Sequence, residues 1–152
     1  MKIKLICSRD FYTDLKDVKT KLETFGHEVM FPDDYNEFLK SKAKAPVVVP
    51  VKKTAAPAKT KVLTEDEKAD LKKKGYKKQS KNIGSVDAVL CLNLEKRGKA
   101  NHIGGASFLG LYEAFLAGKK IFLWNYIPED ILHDEIVSFN PVVIKRMLKN
   151  VK

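Results

Sequence analysis

Cysteine, histidine and tryptophan are scarce in this chain: two, three and one among 152 residues. Two cysteines, Cys7 and Cys91, cannot build the disulfide framework of a small secreted domain, so buried free thiols in a reducing cytoplasm are expected. Neither has an activating partner near it in sequence, which argues against thiolate catalysis. The histidines, His27, His102 and His133, lie in separate segments without metal-ligand spacing, so no metal and no cofactor are expected. No apolar run approaches the ~20 residues of a membrane-spanning helix, and the opening MKIKLICSRD turns polar too soon for a signal peptide. The expectation is a cytoplasmic protein without membrane contact. Internal repeats are absent, and the length suits a single domain over residues 1–152.

Acidic charge is missing from one segment in particular. The net charge is +10. Residues 40–82 hold fourteen lysines against four acids and account for all of it, while the rest of the chain is balanced, with fifteen basic and fifteen acidic residues. Arginine is absent from that segment and aromatics are nearly so, which argues against base-specific readout of nucleic acid. Weak, salt-sensitive contact with a polyanion is the chemistry it suits. A solvated linker is the plainer alternative.

The rest reads as alternating strands and helices. Lys2 to Ser8 is a strand. Phe11, Leu15, Val18, Leu22 and Phe25 recur at helical spacing, with Thr13 or Asp14 as cap and Gly26 as stop. His27 to Phe31 is a second strand, completing a βαβ unit. Residues 41–61, rich in Lys, Ala and Pro, show no helical period and read as a flexible insertion. Thr64 and Glu67 make a capping-box signature for a helix to about Lys81. Val86 to Leu92, interrupted only by Asp87, and Ile121 to Trp124 are short apolar runs that suit parallel strands covered on both faces. Between them a helix runs from Gly105 to Ala117. Residues 128–137 read as a loop with one helical turn, 141–144 as a last strand, and 145–152 as a basic tail. The expected architecture is a doubly wound α/β fold, flavodoxin-like or Rossmann-like, with a five-stranded parallel sheet and a basic insertion.

In such sheets ligands bind beyond the C-terminal ends of the strands. That mouth collects Cys7, Ser8 and Phe11 after the first strand, and Asn93 after the third. It also collects Asn101, His102, Gly104, Gly105 and Ser107 from the following loop, and Asn125 with Tyr126 after the fourth strand. Small polar groups, a glycine pair at a helix N-terminus and two aromatics are the materials of a nucleoside site. Ser107 and the helix head suit a 5′-hydroxyl or 5′-phosphate, Phe11 or Tyr126 suits stacking on a base, and His102 suits a phosphate contact or proton donation to a leaving base. The structural alternative is that the glycines only make the turn and Ser107 only caps the helix. Asp87, at the opposite end of its strand, reads as structural.

The same residues resemble the nucleoside 2-deoxyribosyltransferase-like family. The resemblance rests on Leu92-Asn93, Asn101-His102-Ile103-Gly104-Gly105, Ser107, Phe108-Leu109 and Gly118-Lys119-Lys120. At the N-terminus it rests on Ile6-Cys7-Ser8, Phe11-Tyr12, Leu22, Gly26-His27-Glu28-Val29 and Pro32. It covers roughly residues 1–35 and 83–146. It implies a nucleoside or nucleoside 5′-monophosphate substrate, and N-glycosidic transfer or hydrolysis through a covalent glycosyl-enzyme carboxylate. It also implies a site completed across a homodimer, which the apolar helix faces permit. The chain departs from the pattern at one position: the glutamate expected directly after Phe-Leu is Gly110. The nearest carboxylate is Glu113, about one helical turn on, in a helix otherwise apolar on nearly every side. Glu113 is therefore the candidate nucleophile. Two alternatives stand beside it: a catalytically inactive nucleotide-binding module, and a polyanion-associated protein acting through its lysine-rich segment.

Overall fold

The computed structural model describes residues 1–43 and 64–152. Five strands, β1 (Lys2–Ile6), β2 (Glu28–Met30), β3 (Ala88–Cys91), β4 (Lys120–Leu123) and β5 (Val142–Val143), form one sheet. Its order is β2-β1-β3-β4-β5, and every pairing is parallel. This is the expected doubly wound arrangement, and its switch point lies between β1 and β3.

Each face carries its own core. Ile3 and Leu5 of β1 pack with Leu15, Val18 and Leu22 of helix α1 (Leu15–Thr24) on one face. Ile6 packs on the other face with Ile83 of α3 (Glu65–Gly84), Leu111 and Ala114 of α4 (Gly105–Leu116) and Ile136 of α5 (His133–Ser138). Burial on both sides is why β3 and β4 read as continuous apolar runs.

The structure corrects several boundaries. The helical period beginning at Phe11 splits into a 3₁₀ turn, Arg9–Asp14, followed by α1. Residues 35–43 form a further helix, α2 (Tyr35–Ala43), so the first three residues of the expected insertion are helical. Residues 44–61 of that insertion lie outside the described residues. The capping box at Thr64 and Glu67 is present, and α3 continues to Gly84. The basic tail packs against the fold: its Leu148 and Val151 are buried in the α1-side core together with Ile144 just before it.

Two further findings overturn the sequence pattern. Lys4, mid-strand, is only 1% exposed and pairs with Asp33 at 2.7 Å. Asn82 of α3 also binds that Asp33 carboxylate, and Lys78 donates to the Asp33 carbonyl at 3.1 Å. One carboxylate thus ties β1, the end of β2 and α3 together. Helix α4, in turn, is not enclosed: Ser107, Gly110, Leu111 and Ala114 are buried, but Leu109, Tyr112, Phe115 and Leu116 face outward. At the opposite end of β3 from the mouth, Asp87 accepts from the Lys2 backbone N–H at 2.7 Å, the structural role its position suggested.

Candidate functional site

The strand ends, the loop from Leu92 to Gly104 and the head of α4 make the mouth. After β3 the chain turns through a tight hairpin in which Lys96 and Lys99 bridge, and Arg97 and Gly98 have φ of 52° and 76°. Positive φ at both turn residues is the signature of a type I′ turn. Lys96 Nζ then reaches back to Ser8 Oγ at 2.7 Å and to Asp10 at 2.9 Å, bringing Ser8 to the β3 side of the mouth. Sequence reasoning missed Lys96; the Lys-Arg-Gly-Lys turn was the available signal.

Asn93 and Asn125 hold the ends of β3 and β4 together. Asn93 is fully buried. Its Oδ1 accepts from the Asn125 backbone N–H at 2.8 Å, and its Nδ2 donates to the Tyr126 carbonyl at 2.7 Å. Asn125 Nδ2 donates to the Asn93 carbonyl at 3.0 Å, while Asn125 Oδ1 accepts from Arg146 Nε at 2.9 Å. Both amides are engaged with protein, so they shape the mouth rather than present free groups to it.

The aromatics differ from each other. Phe11 is buried at 7% exposure, whereas Tyr126 is open to solvent at 59%, with Lys145 Nζ 5.5 Å from its ring centroid. Cys7 is half-buried, and burial pushes its thiol well above the usual range. Asn101 turns the chain at φ 54° and is half-buried.

The head of α4 is the least satisfied part of the mouth. Its N-cap is Gly104, with no side-chain acceptor for the first-turn N–H groups. Ser107 is buried within that first turn, and Gly105 is exposed. His102 lies just ahead, and a Cβ on Gly104 would stand 3.4 Å from His102 Nε2. Its other nitrogen, Nδ1, is buried without a hydrogen-bond partner; among the described residues it is the one buried side-chain nitrogen or oxygen so placed.

Glu113 is elsewhere. It is half-buried on the flank of α4 that faces α3, and its Oε2 accepts from Ser80 Oγ at 2.9 Å. One turn nearer the mouth, Gly110 packs under Gln79 of α3: a Cβ at residue 110 would overlap the Gln79 amide nitrogen and lie 3.1 Å from Ile6 Cδ1. Gln79 and Ser80 are residues that sequence reasoning missed, since nothing local joins them to α4. His27 and His133 bind the Val151 and Pro128 carbonyls at 3.1 and 2.9 Å. Among the described residues no three metal-ligating side chains cluster, and no helix is long and apolar enough to cross a membrane.

No family model and no curated protein sequence matches the chain. Among solved structures, it is similar to the CMP N-glycosidase BcmB of Clostridium botulinum, with a TM-score of 0.51 and 14% identity over 99% of this chain and 95% of that one. A looser likeness, TM-score 0.44 and 14% identity over 91% and 81% of the two chains, is to a 2-deoxyribosyltransferase from Bacillus psychrosaccharolyticus. At such identity the first likeness speaks for the fold, a five-stranded parallel α/β sheet, and the second adds no weight.

Proposed function

We propose that the chain binds a nucleoside or nucleoside 5′-monophosphate at the mouth, as a module without the usual carboxylate nucleophile. The observation that carries this is the head of α4, where Gly104 leaves the first-turn N–H groups without a side-chain cap, Gly105 is exposed and His102 lies just ahead. Backbone N–H groups at a helix head and an adjacent imidazole are complementary to a phosphate or sugar hydroxyl. Tyr126 is the exposed ring for a base. The fold shared with a CMP N-glycosidase supports a nucleotide as the ligand class. The absence of a carboxylate at Gly110, with Gln79 filling that space, supports binding without glycosyl transfer.

A second reading, N-glycosidic transfer or hydrolysis through Glu113, is favoured by one observation. Glu113 is bonded to a neutral hydroxyl rather than to a cation, so its carboxylate is not engaged by a positive charge. For this chemistry the carboxylate would attack C1′, the base would leave with a proton, and water or a second base would resolve the ester. Chromatographic time courses with each 2′-deoxynucleoside and its 5′-monophosphate, with and without a second free base, separate the two. Saturable binding with intact ligand supports the binding module. Base release or exchange that disappears in Glu113→Gln establishes the second reading and overturns the first.

A further inference from the structure

Arginine is rare in this chain, and its placement is selective. There are three arginines against twenty-six lysines. All three follow the C-terminal end of a strand, on the side of the mouth: Arg9 after β1, Arg97 after β3 and Arg146 after β5. Lysine supplies a point charge, whereas the guanidinium is a planar fork of donors that matches paired acceptors. Arg9 pairs with Asp34 at 2.7 Å, and Arg97 stands exposed at the hairpin tip. Arg146 is tied into the mouth itself.

The backbone that carries Arg146 is strained. Lys145 and Arg146 have φ of 50° and 63°, and the Met147 N–H donates to the Ile144 carbonyl at 2.9 Å. Positive φ at both central residues is again the type I′ signature, at positions that asparagine and glycine usually fill. Left-handed residues of other types persist where their surroundings over-determine them, and they gather at ligand clamps. Here the Arg146 N–H is tied to the Trp124 carbonyl at 2.8 Å, and Ile144 beneath the turn is fully buried. The side chain reaches back to the end of β4, where its Nε donates to Asn125 Oδ1 at 2.9 Å. Asn125 is in turn fixed by buried Asn93 through bonds of 2.8 and 3.0 Å.

Holding Nε leaves the terminal Nη pair open. Among the described residues Arg146 makes no other side-chain hydrogen bond and meets no carboxylate. Beside it stands Tyr126, next in the chain to Asn125, with Lys145 Nζ over its exposed ring. One set of contacts thus places an open donor fork beside an open aromatic platform.

We infer that Arg146 reads the edge of a base stacked on Tyr126 and selects bases that present two neighbouring acceptors. Guanine does so with O6 and N7, and cytosine with O2 and N3. Adenine sets an amino donor beside N7 and N1, and uracil sets N3–H between its carbonyls, so neither gives the fork a matched pair. A guanidinium has no acceptor and keeps its proton, so no change of protonation relieves the mismatch. The inference rests on the nucleotide reading of the mouth and adds the residue that gives it a base preference.

Calorimetric titration of the full chain with the 5′-monophosphates of guanosine, cytidine, adenosine and uridine tests it. GMP or CMP is expected to bind at least about tenfold tighter than AMP and UMP. Whichever leads assigns the O6–N7 or the O2–N3 edge. Arg146→Lys keeps the charge and loses the fork, and is expected to bring the four dissociation constants within about twofold of one another. In the wild-type chain the Arg146 Nε–H resonance is expected to shift with the tighter ligand and to stay in place with AMP. Equal affinities in wild type, AMP or UMP in the lead, an order preserved in Arg146→Lys, or an unmoved Arg146 resonance overturns the inference and leaves nucleotide binding standing. Binding of none of the four overturns both.

Discussion

Gln79 occupies the space that a side chain on Gly110 would need. A Cβ at residue 110 would overlap the Gln79 amide nitrogen and lie 3.1 Å from Ile6 Cδ1. The atom in the way is the free end of a flexible side chain, so it can give. Gly110 also sits inside α4, where alanine is favoured over glycine by about 1 kcal/mol. The two effects oppose each other. Gly110→Ala alone is expected to change stability by less than about 1 kcal/mol, while in a Gln79→Ala background it should stabilise by about that amount. Urea unfolding of the four-membered cycle measures the coupling; strictly additive variants would contradict the contact.

The Lys4–Asp33 pair has almost no solvent, with the two side chains 2% and 14% exposed. Asp33→Ala strands a buried ammonium and is expected to cost about 3 kcal/mol, whereas Lys4→Met replaces the charge with an apolar stem and should cost much less. Burial holds the Lys4 pKa below its ordinary 10.5, outweighing the hydrogen bond and charge of Asp33. The unfolded chain therefore binds the proton more tightly than the folded one. Stability contributed at Lys4 rises as pH climbs from the lowered value towards 10.5. Unfolding curves of wild type and Lys4→Met at stepped alkaline pH should show wild type gaining on the variant. A constant difference across that window would contradict the burial.

Loss of Asn93 should loosen the mouth from below. Its amide bonds both the Asn125 N–H and the Tyr126 carbonyl, at 2.8 and 2.7 Å. Asn93→Ala leaves buried partners unpaired and is expected to cost roughly 2 to 3 kcal/mol. Thermal unfolding unchanged from wild type would show that water replaces the amide freely.

Both thiols should be slow to react in the folded chain. Cys91 is fully enclosed, and burial pushes its thiol up to about 12. Burial also raises Cys7. Little thiolate exists at neutral pH, so alkylation by iodoacetamide should follow unfolding. Rapid modification of native protein at Cys7 would indicate a more open mouth.

Much of this fold was legible because its signals are local. The apolar runs of β3 and β4, the Thr64–Glu67 capping box and the Gly118 stop, at φ 63°, each depend on a few neighbouring residues. What escaped depends on distant partners. Lys2 and Lys4 fall on one face of β1, but Asp33 and α3 lie over Lys4 and leave Lys2 half-exposed, a difference that the strand pattern alone does not carry. Ile144, Leu148 and Val151 recur at four and three, a period hidden among the lysines and arginine of the C-terminal segment. Glu113 is conspicuous in sequence as a carboxylate in an apolar helix, but its partner Ser80 lies 33 residues away on another helix. The mouth residues could be named because strand ends follow from strand positions. The engagement of Asn93 with Asn125 could not, since it depends on how the ends of β3 and β4 meet.

Nucleotide binding at the head of α4 is tested most directly by NMR. Isotope-labelled protein is titrated with a pyrimidine nucleoside 5′-monophosphate, and the amides of Gly105, Ala106 and Ser107 are followed with the His102 ring nitrogens. Saturable shifts centred on those groups, lost on His102→Ala with the fold intact, are the expected result. Shifts confined to the lysines of α3, or none at all, would contradict a nucleotide site at the mouth.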